Sequence, residues 1–264
     1  MKNLIIFGLG NMGKAIFFGI KTSNLKEIRL TGFDIDKEKL KNVTGIDEID
    51  IEKELSLNDY IILAIKPQDV EDFLKTYGNY VDKEDKILIS IVAGLKLDYY
   101  RKFLKLTKIV RVMPNTPFMV GYGASGIYFD GNFSEEEKRF IKTIFECRGI
   151  VEEVKKEKLL DAVTGLSGSG PAYVFTFISS LIDGGVTAGL PRNIAKNLAI
   201  QTVLGASILA KQEDLHPEQL KDMVTSPGGT TVTGLLELEK NAFRATIINA
   251  VIKASEKAKE LGEK

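Results

Sequence analysis

The segment Leu4-Ile5-Ile6-Phe7-Gly8-Leu9-Gly10-Asn11-Met12-Gly13 leaves few folds open, because an apolar run reaches three glycines and passes straight into a helix-like stretch, Lys14 to Lys21. It reads as strand, tight turn and helix. Each glycine has its own reason: Gly8 for the turn, Gly10 so that a pyrophosphate can approach bare backbone, Gly13 so that the helix can press against the strand. The start of such a helix offers unpaired N–H groups to phosphates. Asp34 closes a second apolar run, Ile28 to Phe33, as the acidic partner of an adenosine ribose does in dinucleotide-binding folds. Gly8, Leu9, Gly10, Asn11, Met12, Gly13 and Asp34 are therefore expected to bind a dinucleotide.

From Met1 to about Val154, strand-like runs alternate with amphipathic segments, the pattern of a mostly parallel sheet covered by helices. Strands are expected near 3–8, 28–33, 60–65, 87–92, 109–112, 124–129 and 150–154. Helices are expected between them at 37–41, 68–77, 97–104 and 135–148, the last opened by a capping box at Ser134 and Glu137. Beyond Lys155 the strand pattern stops. The segments 157–164, 171–188, 192–211, 217–224, 231–239 and 242–261 all read as helix, punctuated by glycine and proline. The expectation is an α/β Rossmann-type domain over 1–155 and an all-α domain over 156–264. The 172–188 helix carries Val174, Phe175, Phe177, Ile178, Leu181, Ile182 and Val186, apolar around much of its circumference, so a second copy of the chain is expected to cover part of it.

Charge and composition exclude several classes. Lys+Arg and Asp+Glu number 36 each, which favours neither a nucleic acid nor an anionic membrane as partner. No apolar stretch approaches the ~20 residues that span a bilayer. With one cysteine, Cys147, and one histidine, His216, neither an internal disulfide nor a His/Cys metal site is expected. The apolar strand begins almost at Met1 with no cationic leader, so a cytoplasmic location is expected.

Three further stretches fall where strands end: Ala64-Ile65-Lys66-Pro67-Gln68, Val92-Ala93-Gly94 and Met113-Pro114-Asn115-Thr116-Pro117. Ligands of open α/β sheets bind outside these ends. Small residues such as Ala64, Ala93 and Gly94 would let a ribose and nicotinamide lie against backbone, with Lys66 and Asn115 as donors, and Ile65 and Pro67 belong to the same expected cofactor-binding set. Ser226-Pro227-Gly228-Gly229-Thr230-Thr231, between two helices, is suited to an anion: glycines free the backbone, the next helix points N–H groups into the gap, and three hydroxyls add donors. The same residue types also make a helix C-cap followed by an N-cap, and the loop alone does not choose between the two. A ketone reductase needs a positioned acid for the developing alkoxide. His216 stands in no recognisable catalytic motif, and sparse acid–base machinery favours C=N over C=O reduction.

Gly8 to Gly13, Ala64 to Pro67, Ala93-Gly94, Arg111 to Pro117, Asp161 to Tyr173 and Ser226 to Thr231 together resemble pyrroline-5-carboxylate reductase, along essentially the whole chain. The resemblance implies reduction of 1-pyrroline-5-carboxylate to proline with NADPH or NADH, a helical dimerisation domain, often a decamer of five dimers, and active sites that borrow helical segments from the partner chain. It places the substrate carboxylate on Ser226, Gly228, Gly229, Thr230 and Thr231, with the Thr231 hydroxyl, the catalytic candidate, near the ring nitrogen, and Glu157 and Asp214 beside the cofactor. One position departs from the NADP-preferring pattern: Asp34 favours a ribose 2′-OH over a 2′-phosphate, with Lys37 close enough in sequence to offset part of its charge. Two other readings compete. A reductase of the 3-hydroxyacid dehydrogenase type would need a catalytic lysine, for which Lys196 and Lys211 are the candidates; a non-catalytic dinucleotide sensor would need no anion loop.

Overall fold

A computed structural model describes residues 1–23, 25, 27–105 and 108–263. Strand β1 (Lys2–Phe7) is apolar at consecutive positions because helices cover both of its faces. Leu4 and Ile6 enter one core, Ile5 and Phe7 the other, and all four are at most 4% exposed. The same alternation runs through β3 (Tyr60–Leu63) and β4 (Ile87–Ser90): Tyr60, Ile62, Ile87 and Ile89 face the first core, Ile61, Leu63 and Leu88 the second.

With β2 (Ile28–Phe33), β5 (Ile109–Met113), β6 (Gly123–Asp130) and β7 (Gly149–Glu153), these form one sheet in the order β2-β1-β3-β4-β5-β6-β7. The first five strands are parallel, β6 runs antiparallel to β5, and β7 is parallel to β6. The reversal has a local cause. Only a short 3₁₀ turn, Thr116–Val120, lies between β5 and β6, too little chain for a crossover helix.

Helices α1 (Asn11–Thr22), α2 (Lys37–Thr44) and α6 (Glu135–Glu146) cover the first face. Helices α3 (Ile51–Leu57), α4 (Val70–Val81) and α5 (Leu97–Arg101) cover the second. The capping box expected at α6 is present, with the Glu137 N–H donating to Ser134 Oγ (3.2 Å) and the Ser134 N–H to Glu137 Oε2 (2.8 Å). Helix α3 was not expected. It is seven residues long, capped by Asp50, and buries Leu55 alone, which gives no readable helical period. Nor does the chain break at Gly165 and Gly168: α7 (Leu159–Val163) runs into a π-helical turn, Thr164–Gly168, before the next helix starts at Gly170.

Two compact units result, one of Met1–Ser169 with the chain from Lys253 onward, the other Gly170–Ile252. The second unit is helical: α8 (Gly170–Thr187), α9 (Arg192–Gln212), α10 (Pro217–Met223), α11 (Thr230–Lys240) and the first part of α12 (Phe243–Leu261). Small residues bring α8 and α9 together, since a Cβ at Gly185 would lie 3.2 Å from that of Ala195. In these helices only Ala195 and Ala199 are buried, while Phe175 of α8 stays 66% exposed and Leu236 of α11 65%.

At the lower edge of the sheet, Lys86 is 4% exposed and its ammonium donates to three carbonyls that end α3: Leu55 (2.8 Å), Ser56 (3.1 Å) and Asn58 (2.8 Å). Burial holds its pKa below the ordinary lysine value. Lys86→Met should leave these acceptors unpaired and lower stability by about 1–3 kcal/mol, read as a reduced urea midpoint; an unchanged midpoint would mean that water replaces the ammonium there.

Candidate functional site

Strand β1 leads to β2 on one side and β3 lies on the other, so the carboxyl ends of β1 and β3 flank the switch point of the sheet. The glycine turn sits there. Gly8 has φ +101°, and a Cβ on it would come within 2.5 Å of the Ala64 carbonyl oxygen. A Cβ on Gly13 would overlap the Gly8 carbonyl. Gly10 differs from both. Its backbone is one that any residue adopts and a Cβ there meets nothing within 4 Å, so the protein itself does not require this glycine. Helix α1 starts at the same point with no side chain capping its first N–H groups. Open space beside bare backbone and uncapped donors is what a pyrophosphate requires, and the chain fits a dinucleotide on that ground.

A cavity of about 500 Å³ opens from this turn, walled by Gly8, Gly10, Asp34, Ala64, Ile65 and Lys66 of the expected set. Leu9 and Met12 turn their side chains into the core, so no bulky side chain at these positions obstructs the turn. The floor is aromatic: the Phe7 ring lies 4.5 Å from Phe73 and 5.6 Å from Tyr77. Neither Phe73 nor Tyr77 was singled out in the sequence. They are apolar positions of α4 that ordinary core packing explains equally well.

Asp34 is held by backbone. The Leu9 N–H donates to its Oδ2 (2.7 Å) and the Asp36 N–H to its Oδ1 (2.9 Å), so the carboxylate braces the glycine turn as well as facing the cavity. Lys37 pairs with Glu48 at 2.7 Å and lines a neighbouring hollow that Asp34 also borders, not the cavity of the glycine turn. Lys39 is the lysine of α2 that shares the cavity with Asp34. Helix geometry sends positions two apart to different faces, which is why Lys37 and Lys39 line different hollows around Asp34.

Pro67 opens a 3₁₀ turn, Pro67–Asp69, that leads into α4. Ala93 is exposed and Gly94 takes φ +78°, both beyond the end of β4 and outside the cavity. This loop is anchored from below, where Ser90 Oγ shares a 2.5 Å hydrogen bond with the Tyr100 hydroxyl and accepts the Val92 N–H (3.2 Å). Burial pushes the Tyr100 phenol up to about 12, which keeps it neutral. Asn115 is not a free donor: buried, it donates to the Ser167 carbonyl (3.0 Å) and accepts the Ala124 N–H (2.9 Å). Glu157 is engaged too, accepting from Arg111 Nη1 (2.7 Å) and the Leu97 N–H (2.8 Å).

In the second unit, Gly228 takes φ +66° and the Gly229 N–H closes the turn on the Ser226 carbonyl (3.1 Å). Helix α11 begins at Thr230 with no side chain on its first N–H groups. Among the described residues, the hydroxyls of Ser226, Thr230 and Thr231 have no hydrogen-bond partner, so they do not serve as caps. His216 does cap: its Nδ1 accepts the Glu218 N–H (3.2 Å) while Gln219 reaches back to the His216 N–H (2.9 Å). Asp214, Lys196 and Lys211 are exposed and line none of the cavities described. Burial pushes the Cys147 thiol up to about 11, which makes it a poor nucleophile.

Residues 157–261 match the family model described as pyrroline-5-carboxylate reductase dimerisation, and residues 3–94 the model described as NADP oxidoreductase coenzyme F420-dependent. The chain is 42% identical to a pyrroline-5-carboxylate reductase of Methanosarcina acetivorans over 97% of both proteins. Among solved structures, the pyrroline carboxylate reductase of Plasmodium falciparum with NADP bound superposes with a TM-score of 0.86 at 40% identity, covering 99% of this chain and 98% of that one. The Coxiella burnetii pyrroline-5-carboxylate reductase gives 0.92 at 30% identity, over 98% of each chain. With its glycine turn, its helical second unit and this likeness over nearly the full length, the chain belongs to the pyrroline-5-carboxylate reductase family.

Proposed function

We propose that the chain reduces 1-pyrroline-5-carboxylate to proline, with NADH or NADPH as hydride donor. The observation that carries the reading is the uncapped start of α11 with three unpartnered hydroxyls, in a chain that also has an open glycine turn at the switch point. A second unit that offers an anion site adds a place for a substrate, which a sensor does not need. The bound dihydronicotinamide supplies the hydride that adds to the ring carbon of the C=N bond, whose π pair moves to nitrogen.

The turn of Gly8, Leu9, Gly10, Asn11, Met12 and Gly13 holds the pyrophosphate. Gly8 and Leu9, whose N–H groups are bonded to Phe33 and Asp34, shape the turn, Gly10 leaves the room, and Asn11, Met12 and Gly13 offer the N–H groups at the start of α1, while Asp34 takes the adenosine ribose. Ala64, Ile65, Lys66, Pro67, Ala93 and Gly94 receive the nicotinamide end. The substrate carboxylate rests on the N–H groups of Gly228 and Thr230 with the Ser226 hydroxyl, and Gly229, whose own N–H closes the turn on the Ser226 carbonyl, leaves bare backbone beside it. Neutral donors suit it, since they hold the carboxylate without placing a cation beside an iminium nitrogen. Thr231 serves that nitrogen. As it changes from a cationic donor to a neutral amine, a hydroxyl that both donates and accepts can follow the change.

The assembly is a homodimer through the helical unit, with a decamer of five dimers as the larger form, and the compartment is the cytoplasm. Support for the dimer comes from α8, an 18-residue helix with no buried residue in the single chain. Among the described residues no helix is long and apolar enough to cross a membrane.

Purified protein mixed with 1-pyrroline-5-carboxylate should consume nicotinamide absorbance and form proline, with kcat/KM for NADH at least equal to that for NADPH because Asp34 faces the ribose; absence of turnover with both coenzymes rules the reading out. Thr231→Val keeps the shape and removes the hydroxyl, so it should lower kcat/KM by about 5- to 150-fold, the equivalent of roughly 1–3 kcal/mol, without moving the melting temperature. A variant as efficient as the native enzyme would make Thr231 a spectator. Light scattering at micromolar concentration should give at least a dimer, and a stable, active monomer would contradict the assembly proposed.

A further inference from the structure

Asp34 presents a fixed negative charge to the cavity. Both oxygens accept backbone N–H groups, from Leu9 and Asp36, so the carboxylate cannot swing aside for a second anion. A 2′-phosphate on the adenosine ribose therefore enters against a like charge unless a cation meets it. Helix α2 starts close by, but it is capped: Asp36 Oδ1 accepts from the N–H groups of Glu38 (3.0 Å) and Lys39 (3.3 Å), which puts a second carboxylate where an anion would approach. Lys37 is unsuited as well: the hollow it lines is bordered by Asp34 too, but its ammonium is paired with Glu48 and the remaining wall is acidic, with Asp47 and Asp50.

Lys39 remains. It lines the same cavity as Asp34, and its ammonium is 3.2 Å from Asp36 Oδ2, with both side chains about half exposed, 51% and 44%. An exposed pair of this kind is worth little and yields readily to a dianion. Asp36 and Asp34 together hold the ammonium in its charged form.

From this arrangement, and resting on the reading of the cavity as the dinucleotide site, we infer that Lys39 is the specificity-determining cation of the chain: it offsets Asp34 and receives the adenosine 2′-phosphate. One pocket then takes both coenzymes, NADH through Asp34 and NADPH through Lys39. The two residues act in opposite directions on the same ribose.

Calorimetric titration with ADP and with 2′,5′-ADP tests this without turnover. Lys39→Gln should weaken 2′,5′-ADP about tenfold while changing ADP less than about twofold, the contrast expected for loss of one charge contact near a surface. Lys39→Arg should keep 2′,5′-ADP binding, and Lys37→Gln should leave both probes unchanged. Equal loss of both probes in Lys39→Gln, loss of neither, or a larger effect in Lys37→Gln overturns the assignment of Lys39 alone. If the native protein binds neither probe, the dinucleotide site falls, and Lys39 with it.

Discussion

An atom added at Gly13 would lie inside the Gly8 carbonyl, so α1 rests directly on the backbone of the turn that precedes it. Everything at the switch point depends on this contact. It holds the start of α1 over the end of β1, and the close approach of Gly8 to the Ala64 carbonyl fixes that end against the neighbouring strand. Leu9 plugs the turn into the core at 2% exposure, and its N–H ties to Asp34 at the end of β2. Three strand ends are thereby joined by one short turn. Gly10, the position with open space beside it, is left for an external group.

Charge is distributed by the same economy. Both proposed anion sites rely on neutral donors at helix starts, α1 and α11, neither of which has a side-chain cap. The arginines are used for structure. Arg111, 8% exposed, bonds Glu157, whose same oxygen takes the Leu97 N–H, so β5, α5 and the start of α7 share one carboxylate. In the second unit Arg192 pairs with Asp183, and Arg244 with Glu218 and Glu239. The exposed pairs contribute little stability each, whereas breaking the Arg111–Glu157 pair strands a buried charge.

The two units differ in what holds them together. In the first, each central strand buries residues on both faces. In the second, helices of 18 and 21 residues bury two alanines between them, and large apolar side chains such as Phe175, Leu198 and Ile248 are more than half exposed. In the single chain such a unit buries little apolar surface, and any partner that covers these side chains adds to its stability by mass action. The family model matched by residues 157–261 is itself one of dimerisation.

Local pattern carried a great deal. Continuous apolar runs marked the buried strands, a three-glycine turn before a helix marked the switch point, and the apolar circumference of 172–188 marked a surface that a single chain leaves uncovered. These are legible because strand and helix periods are properties of neighbouring residues. Short pieces escaped: α3 is too brief to show a period, and glycines that read as helix breaks continue through a π turn. Partnerships between distant residues were decided only by the fold. Asp34 meets Leu9 across 25 residues and Asn115 meets Ser167 across 52, because strand order, which no local pattern contains, brings those backbones together. Lys37 and Lys39 are two positions apart in the sequence, and only the rotation of α2 against the sheet assigned one to Glu48 and the other to the cavity.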